Sequence, residues 1–150
     1  MSIFGGINTS ASALTAQRLR MDVVSSNLAN ANTTRATKAE DGTAIPYRRK
    51  MVALAPTEQS FSSYLNRAKG ASTGTQGVKA TRIKEDETPF KLVYNPGHPD
   101  ANADGYVEMP NVDPLKEMVD LMSATRSYEA NVTAMNATKG MLMKALEIGK

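Results

Sequence analysis

The chain has 150 residues, of which 41% are hydrophobic and 5% aromatic, and its formal net charge is +3. It contains no cysteine, which excludes disulfides and thiol chemistry, and one histidine, which excludes a metal site built from several histidines. No stretch reaches the roughly 18 apolar residues of a membrane span, and the N-terminus lacks the features of a signal peptide. We therefore expect no membrane insertion and, if the protein leaves the cytoplasm, export without a cleaved signal peptide.

The first predicted element is a long helix over residues 2–32. Its apolar residues recur every seven positions, at Ile7, Leu14, Met21 and Leu28. Because Gly5 and Gly6 are poor helix formers, we expect the helix to begin at a cap on Asn8 or Thr9. The asparagine-rich run 27–32 is expected to end it, since asparagine disfavours helix interiors and suits helix ends and interface hydrogen bonds.

The middle of the chain is predicted to hold short strands between loops. Residues 33–44 form a polar link with an Asp41–Gly42 turn, and residues 57–77 are mostly loop, with Phe61, Tyr64 and Leu65 spaced for two helical turns. Alternating or apolar runs predict four strands, at Tyr47–Leu54, Val78–Ile83, Phe90–Tyr94 and Tyr106–Met109. Only about 75 residues lie between the terminal helices, enough for a small core.

A second, longer helix is predicted from Asp113 to the C-terminus. Asp113 suits the cap, Pro114 suits the first helical position and Gly149 suits a stop. Two lines of residues recur every seven positions: Leu121, Tyr128, Met135 and Leu142, and Met118, Thr125, Val132, Lys139 and Leu146. Such a heptad pattern predicts a helix that packs along another helix.

The two terminal helices share this period, so we predict that they pair. The fold class is mainly α with a small β middle (α+β), with residues 1–34 and 112–150 forming one axial coiled-coil domain. Residues 35–111 form a small strand-rich middle domain. The flanks of both helices carry few charges: only Arg126 and Glu129 lie between Leu121 and Thr138. Uncharged flanks suit contact with neighbours on several sides, although an ordinary helical hairpin explains the periodicity equally well.

No motif in the sequence supports catalysis, a cofactor or a metal. Asp100-x-Asn102-x-Asp104-Gly105 matches the first half of a calcium-binding EF-hand loop, but Asn111 stands where the loop needs a bidentate Glu, so we predict a turn. His98 lies in a proline-bound loop, which favours a structural role. The basic run Arg48–Lys50 lacks an aromatic platform, and we interpret it as strand-edge or interface charge.

Several segments nevertheless resemble one protein family. Ser25–Thr34 is similar to the asparagine-rich motif that closes the N-terminal helix of bacterial flagellar rod and hook proteins, and Tyr47–Lys50 follows it as in proximal rod proteins. The resemblance continues through His98–Ala101, Gly105–Val107, Pro110–Val112, Glu117–Asp120, Tyr128–Ala134 and Lys144–Lys150. It is weak over residues 57–77, and the link 35–44 is longer than usual.

The resemblance implies a structural subunit of the flagellar basal-body rod, outside the cytoplasmic membrane, that transmits torque for motility. Such subunits are exported by the flagellar type III apparatus and stack through their terminal helices into a helical tube. Its implied partners are other rod subunits, further copies of itself, and membrane-ring or export-gate components at the rod base. No nucleic acid or small-molecule substrate is implied.

We therefore predict a non-enzymatic rod subunit that packs and assembles through its helices. The residues predicted to carry this are Ile7, Leu14, Met21, Asn27, Leu28, Asn30, Met118, Leu121, Tyr128, Asn131, Val132, Met135, Leu142 and Leu146. Two alternatives remain from the residues alone, a free coiled-coil adaptor and a nucleic-acid-binding module that uses Arg48–Lys50. An enzyme is the least favoured class.

Overall fold

The structure is a computed structural model that describes residues 4–38, 43–57, 65, 68–69 and 77–148. Two long helices flank short strands, which confirms the predicted α+β class. In chain order the elements are α1 Gly5–Ala29, β1 Thr37–Lys38, β2 Ala44–Ile45, β3 Lys50–Pro56, β4 Val78–Glu85, β5 Lys91–Tyr94, β6 Tyr106–Met109 and α2 Pro114–Ile148. The predicted Asp41–Gly42 turn, the helical positions Phe61 and Tyr64, and the Gly149 stop lie outside the described residues.

Helix α2 begins where the sequence predicts. The Asp113 side chain accepts a hydrogen bond from the backbone N–H of Leu115 at 3.1 Å, and its carbonyl accepts the first helical bond from Glu117 at 3.0 Å. Asp113 is therefore the cap of α2, and Pro114 occupies the first helical position, where no N–H is needed. The helix has 35 residues, so it is about 50 Å long at roughly 1.5 Å per residue.

Helix α1 begins earlier than predicted. It starts at Gly5, and the Thr9 hydroxyl donates to the Gly5 carbonyl at 2.9 Å, so Thr9 lies inside the helix instead of capping it. The expectation that the two glycines delay the helix was therefore wrong, because a helix end tolerates glycine better than a helix interior does. At the other end, Asn27 lies inside the last turn, and Asn30 and Asn32 follow it.

Within the described residues the strands form three two-stranded sheets, β1–β2, β3–β4 and β5–β6. The prediction of β6 is confirmed to the residue. Strand β3 starts at Lys50 and not at Tyr47. The backbone N–H of Tyr47 donates to the Thr33 carbonyl and that of Arg49 to the Asn111 side chain, so neither takes part in the sheet β3–β4. The short sheet β1–β2 was not predicted: three of its four residues lie in the polar link 33–44, which has no period-two pattern. Strands of this length give a sequence little periodicity to show.

The chain separates into two compact units. Unit 1 comprises Met1–Leu19, Ala53–Arg82 and Ser123–Lys150, and unit 2 comprises Arg20–Val52 and Ile83–Met122. The buried side chains of unit 1 include Ala16 and Ala124. Those of unit 2 include Val23, Val24, Tyr47, Val107 and Val112. The predicted division into an axial helical domain and a middle domain stays a prediction.

The turn between β5 and β6 depends on Gly105, whose φ is +80°. A Cβ at this position would lie 3.0 Å from the Tyr94 ring and 3.2 Å from the Pro96 Cβ. Side chains are disfavoured at positive φ because the Cβ approaches the following carbonyl oxygen. Gly105 therefore allows both the turn and the close approach of the Tyr94 ring.

Gly105→Ala should destabilise the protein by about 1–2 kcal/mol, the usual cost of the left-handed conformation for a residue with a Cβ. Urea unfolding of the purified protein measures this loss. Gly97→Ala is the matched control in the same turn, since a Cβ there would meet its nearest neighbour only at 3.8 Å. Equal stability of the Gly105 variant and the wild type would show that the turn does not require glycine.

Candidate assembly site

Asn27 connects the end of α1 to the start of β3. Its side chain is completely buried and bonds the backbone of Lys50 in both directions. The Asn27 Nδ2 donates to the Lys50 carbonyl at 2.8 Å, and the Lys50 N–H donates to the Asn27 Oδ1 at 2.9 Å. The Tyr47 hydroxyl also donates to Oδ1 at 3.1 Å. The amide thus supplies Lys50 with the donor and acceptor that a neighbouring strand would give.

Glu117 brings the start of α2 to the same point. Its carboxylate is completely buried and accepts hydrogen bonds from the Asn27 Nδ2 at 2.9 Å and from the Arg49 Nε at 2.7 Å. Arg49 also forms an ion pair with Asp86 at 3.3 Å. Burying a carboxylate is costly unless a cation and hydrogen bonds compensate it, and both are present here. Glu117 also lies in the first turn of α2, where the helix dipole favours a negative charge.

Asn111 connects the residue before β3 to the residues that follow β4. Its Oδ1 accepts from the Arg49 backbone N–H at 2.8 Å, and its Nδ2 donates to the Asp86 carbonyl at 3.1 Å and to the Thr88 hydroxyl at 2.9 Å. The hydrogen bond from the Thr88 backbone, assisted by the Thr88 hydroxyl and Arg49, holds the pKa of the Asp86 carboxyl below its usual value against the opposing effect of burial. The Asp86 carboxylate is therefore favoured as the partner of Arg49.

We call this group the polar cluster; its members are Asn27, Tyr47, Arg49, Asp86, Asn111 and Glu117. All six belong to unit 2. They join the end of α1, the residues before β3, the residues after β4 and the start of α2. The Arg20–Asp120 ion pair adds a second link between α1 and α2 within the same unit. The cluster can position backbone segments, but it contains no arrangement of nucleophile and base for catalysis.

Of the predicted packing residues in α1 and just after it, Asn27 alone is buried. Ile7 and Leu14 in unit 1, and Met21, Leu28 and Asn30 in unit 2, are half-buried. Asn30 donates its Nδ2 to the Ser26 carbonyl at 2.9 Å and so closes the end of the helix. The polar cluster contains Asn27 and none of these other residues.

On α2 the more protected line is shifted by one residue from the second predicted line. Leu121, Tyr128, Met135 and Leu142 of the first line are half-buried, as is Val132, but Met118, Lys139 and Leu146 are exposed. The line one residue earlier is protected instead: Glu117 and Ala124 are completely buried, and Asn131 and Thr138 are half-buried. The line from Met118 to Leu146 was predicted because it contains more apolar residues than the line that begins at Glu117. Glu117 is nevertheless buried, because its carboxylate accepts two hydrogen bonds.

Sequence reasoning missed five of the six cluster residues. Arg49 was interpreted as a strand-edge or interface charge, and Glu117 was not considered for packing. One signal was available: Glu117, Ala124, Asn131 and Thr138 are themselves spaced by seven. A carboxylate at such a position indicates a buried polar interaction, because a lone charge there would be unfavourable.

The EF-hand-like segment makes contacts within the protein. Asp100 accepts hydrogen bonds from Arg35 at 2.6 Å and from Thr34 at 2.9 Å, and the Arg35 bond is the main reason why the pKa of Asp100 lies below its usual value. The Asn102 Oδ1 accepts from the backbone N–H groups of Asp104 and Tyr106. Among the described residues, no three His, Cys, Asp or Glu side chains are grouped to hold a metal ion.

Among the residues that the structure describes, no helix is long and apolar enough to cross a membrane.

Glu117→Ala should destabilise the protein by about 2–3 kcal/mol, because it removes two hydrogen bonds to a buried carboxylate. The Arg49 guanidinium then keeps only its ion pair with Asp86, and the Asn27 Nδ2 keeps only the Lys50 carbonyl. Urea unfolding followed by circular dichroism measures this loss. Glu87→Ala is the matched control: Glu87 also pairs with a cation, Lys84, but is 79% exposed, and its loss should cost less than about 1 kcal/mol. Equal effects of the two substitutions would contradict the proposed importance of the cluster.

Comparison with protein families gives two matches. Residues 7–37 match a family described as flagella basal body rod protein, and residues 103–148 match flagellar basal body rod FlgEFG protein C-terminal. The first match covers most of α1 and the asparagine-rich run. The second covers β6, the capping segment and all of α2. The two matched segments include Asn27, Asn111 and Glu117 of the polar cluster.

Curated relatives match over the whole chain. The flagellar basal-body rod protein FlgC of Bacillus subtilis is 68% identical over 100% of both chains. That of Escherichia coli O6:H1 is 45% identical over 100% of both, and that of Borreliella burgdorferi is 43% identical over 99% of this chain and 98% of its own. Identity of this extent places the protein firmly: the chain belongs to the FlgC family of flagellar basal-body rod proteins.

Proposed function

We propose that the protein is a structural subunit of the flagellar basal-body rod that assembles with its neighbours through α1 and α2. Its family is structural, so no catalytic step is assigned, and the free adaptor alternative has no support. The observation that carries this function is the exposed apolar face at the start of α2. Leu115, Met118, Val119 and Met122 are all exposed there, and three of the four are more than half exposed.

These four residues lie on one side of the helix, because they are spaced by three and four positions. Exposed contiguous apolar surface is unfavourable in water at about 25 cal/mol per Å² and typically marks an interaction site. The same helix exposes Met141, Met143, Leu146 and Ile148 in unit 1. Assembly with neighbours that cover these surfaces would be stabilised by the burial of their apolar area. A free adaptor would instead be expected to carry charged residues on the flanks of its helices.

We propose that α1 and α2 pair as an antiparallel coiled coil in the assembled rod. Within unit 2 the Arg20–Asp120 ion pair and the Asn27–Glu117 hydrogen bond support this pairing. Within unit 1, Gly6 lies beside Thr138, whose methyl group would be 3.8 Å from a Cβ at that position. Residues 1–34 and 112–150 would then form the axial domain, with residues 35–111 outside it.

The partners proposed for this assembly are other rod subunits, further copies of the chain, and membrane-ring or export-gate components at the rod base. The relatives are named as components of the basal-body rod, which supports the first of these. We also propose that the protein is exported by the flagellar type III apparatus without signal cleavage. In the rod, the interlocked helices transmit torque from subunit to subunit during flagellar rotation.

The double variant Val119→Gln/Met122→Gln should reduce swimming and the amount of protein in purified basal bodies, because it makes the exposed face of α2 polar. Glutamine keeps the helix propensity of methionine, and substitution of exposed residues should change the unfolding free energy by no more than about 0.5 kcal/mol. Swimming zones in soft agar and immunoblots of basal bodies, in a strain without its own copy, measure the effect.

Lys116→Gln is the matched control, since Lys116 is exposed in the same turn and should tolerate the change. Normal swimming and normal incorporation of the double variant would contradict a role of this face in assembly. A loss of folded stability equal to that of a buried substitution would instead assign the face to the internal structure of the subunit.

A further inference from the structure

The hairpin of β5 and β6 in unit 2 has one exposed face with two aromatic rings. Leu92 is paired with Glu108 and Tyr94 with Tyr106, and residues directly opposite each other in a sheet share a face. Leu92 is 64% exposed, Tyr94 66% and Tyr106 43%, and Glu108 is also exposed. We call these four residues the hairpin face.

The opposite face holds the hairpin in place. Val107 lies on that side and is 2% exposed, and the Lys91 ammonium donates to the Val112 carbonyl at 3.2 Å. The rings of Tyr94 and Tyr106 are 5.3 Å apart at 65°, an edge-to-face arrangement. The hairpin face is therefore supported by packing on its opposite side and by the contact between its two rings, and such support reduces the entropy lost on binding.

The two compact units carry opposite net charges. Unit 1 has nine basic and three acidic residues, a net charge of +6, whereas unit 2 has nine basic and twelve acidic residues, a net charge of −3. In unit 1 the exposed basic side chains include Arg18, Lys69, Arg82 and Arg126. In unit 2 the carboxylates beside the hairpin face, Glu108 and Asp104, are exposed. Complementary charge on two surfaces guides their association and fixes their orientation.

We propose that the hairpin face is a docking surface for the basic unit 1 of a second copy of this chain. Two tyrosines and a leucine supply the contact area, and Glu108 supplies the charge that selects a basic partner. Tyrosine contributes large contact area at low entropic cost. The inference rests on the proposed function. It adds that two copies of the chain contact each other and names the surface on each copy that forms the contact.

A contact between two different surfaces has a consequence for assembly. Each copy that uses its hairpin face still has its own unit 1 free to dock on the next copy. Such head-to-tail contacts repeat and build rings or helical arrays, whereas a contact between two identical surfaces stops at a dimer. The hairpin face therefore suits lateral or axial repetition of this chain within a rod.

Photo-crosslinking tests the contact. In a strain that produces only Tyr94→p-benzoylphenylalanine protein, irradiation of purified basal bodies should give a product of twice the chain mass of 16.1 kDa. Peptide mass spectrometry should locate the second attachment in residues 1–19, 53–82 or 123–150. Adding Glu108→Lys should reduce the crosslinked fraction several-fold, whereas Lys38→Glu, which changes an exposed charge elsewhere in unit 2, should leave it unchanged.

Val93→p-benzoylphenylalanine is the matched control, because Val93 is the neighbouring residue and 47% exposed but lies on the other face. It should give no product with unit 1. Three results would overturn the inference while leaving the proposed function intact: a Tyr94 product attached within residues 20–52 or 83–122, attachment only to a different rod protein, or no product from a chain that is present in the basal bodies. Absence of the wild-type chain from basal bodies would contradict both the inference and the proposed function.

Discussion

The hydrogen-bonded ion pair between Glu117 and Arg49, closed by Asn27, is the interaction on which unit 2 depends. A carboxylate buried without compensation would be strongly destabilising. Here two donors satisfy it, at 2.7 and 2.9 Å. Each donor comes from a different segment, so satisfying one charge requires α1, the start of β3 and α2 to be in place together.

This requirement explains the local irregularities of unit 2. Asn27 stands inside the last turn of α1, where asparagine is a poor helix former, because its amide pairs with the Lys50 backbone. Asn111 precedes the Asp113 cap and bonds both the Arg49 N–H and the segment at Asp86 and Thr88. The polar residues of the two segments that match flagellar rod families therefore serve to position the backbone. Polar contacts of this kind can also fix the register between packed helices.

The exposed apolar residues of unit 2 are not explained by the polar cluster. Unit 2 satisfies its buried charges internally, yet it leaves Leu115, Val119 and Met122 in solvent. Buried charges that are satisfied inside a unit, beside an apolar face that stays exposed, are typical of a surface that contacts a partner. Membership of the FlgC family supports the proposal that this surface contacts neighbouring rod subunits.

Sequence patterns predicted most of the helices and strands well and the residues of the site poorly. The cap at Asp113, the extent of β6 and the two long helices follow from local rules of capping and periodicity. The start of α1 and the sheet β1–β2 do not, because glycine is tolerated at a helix end and two-residue strands show no period. The polar cluster joins residues that are 20 to 90 positions apart, so local patterns do not show which residues meet. The spacing by seven of Glu117, Ala124, Asn131 and Thr138 indicates one member of the cluster, Glu117.

The central claim is that the exposed face of α2 becomes covered by neighbouring subunits in the rod. The chain contains no cysteine, so a single Val119→Cys substitution provides a unique thiol on this face. The rate of maleimide labelling should be measured in the free subunit and in purified basal bodies. The account predicts rapid labelling of the free subunit and strong protection in basal bodies, whereas equal rates in the two states would contradict it.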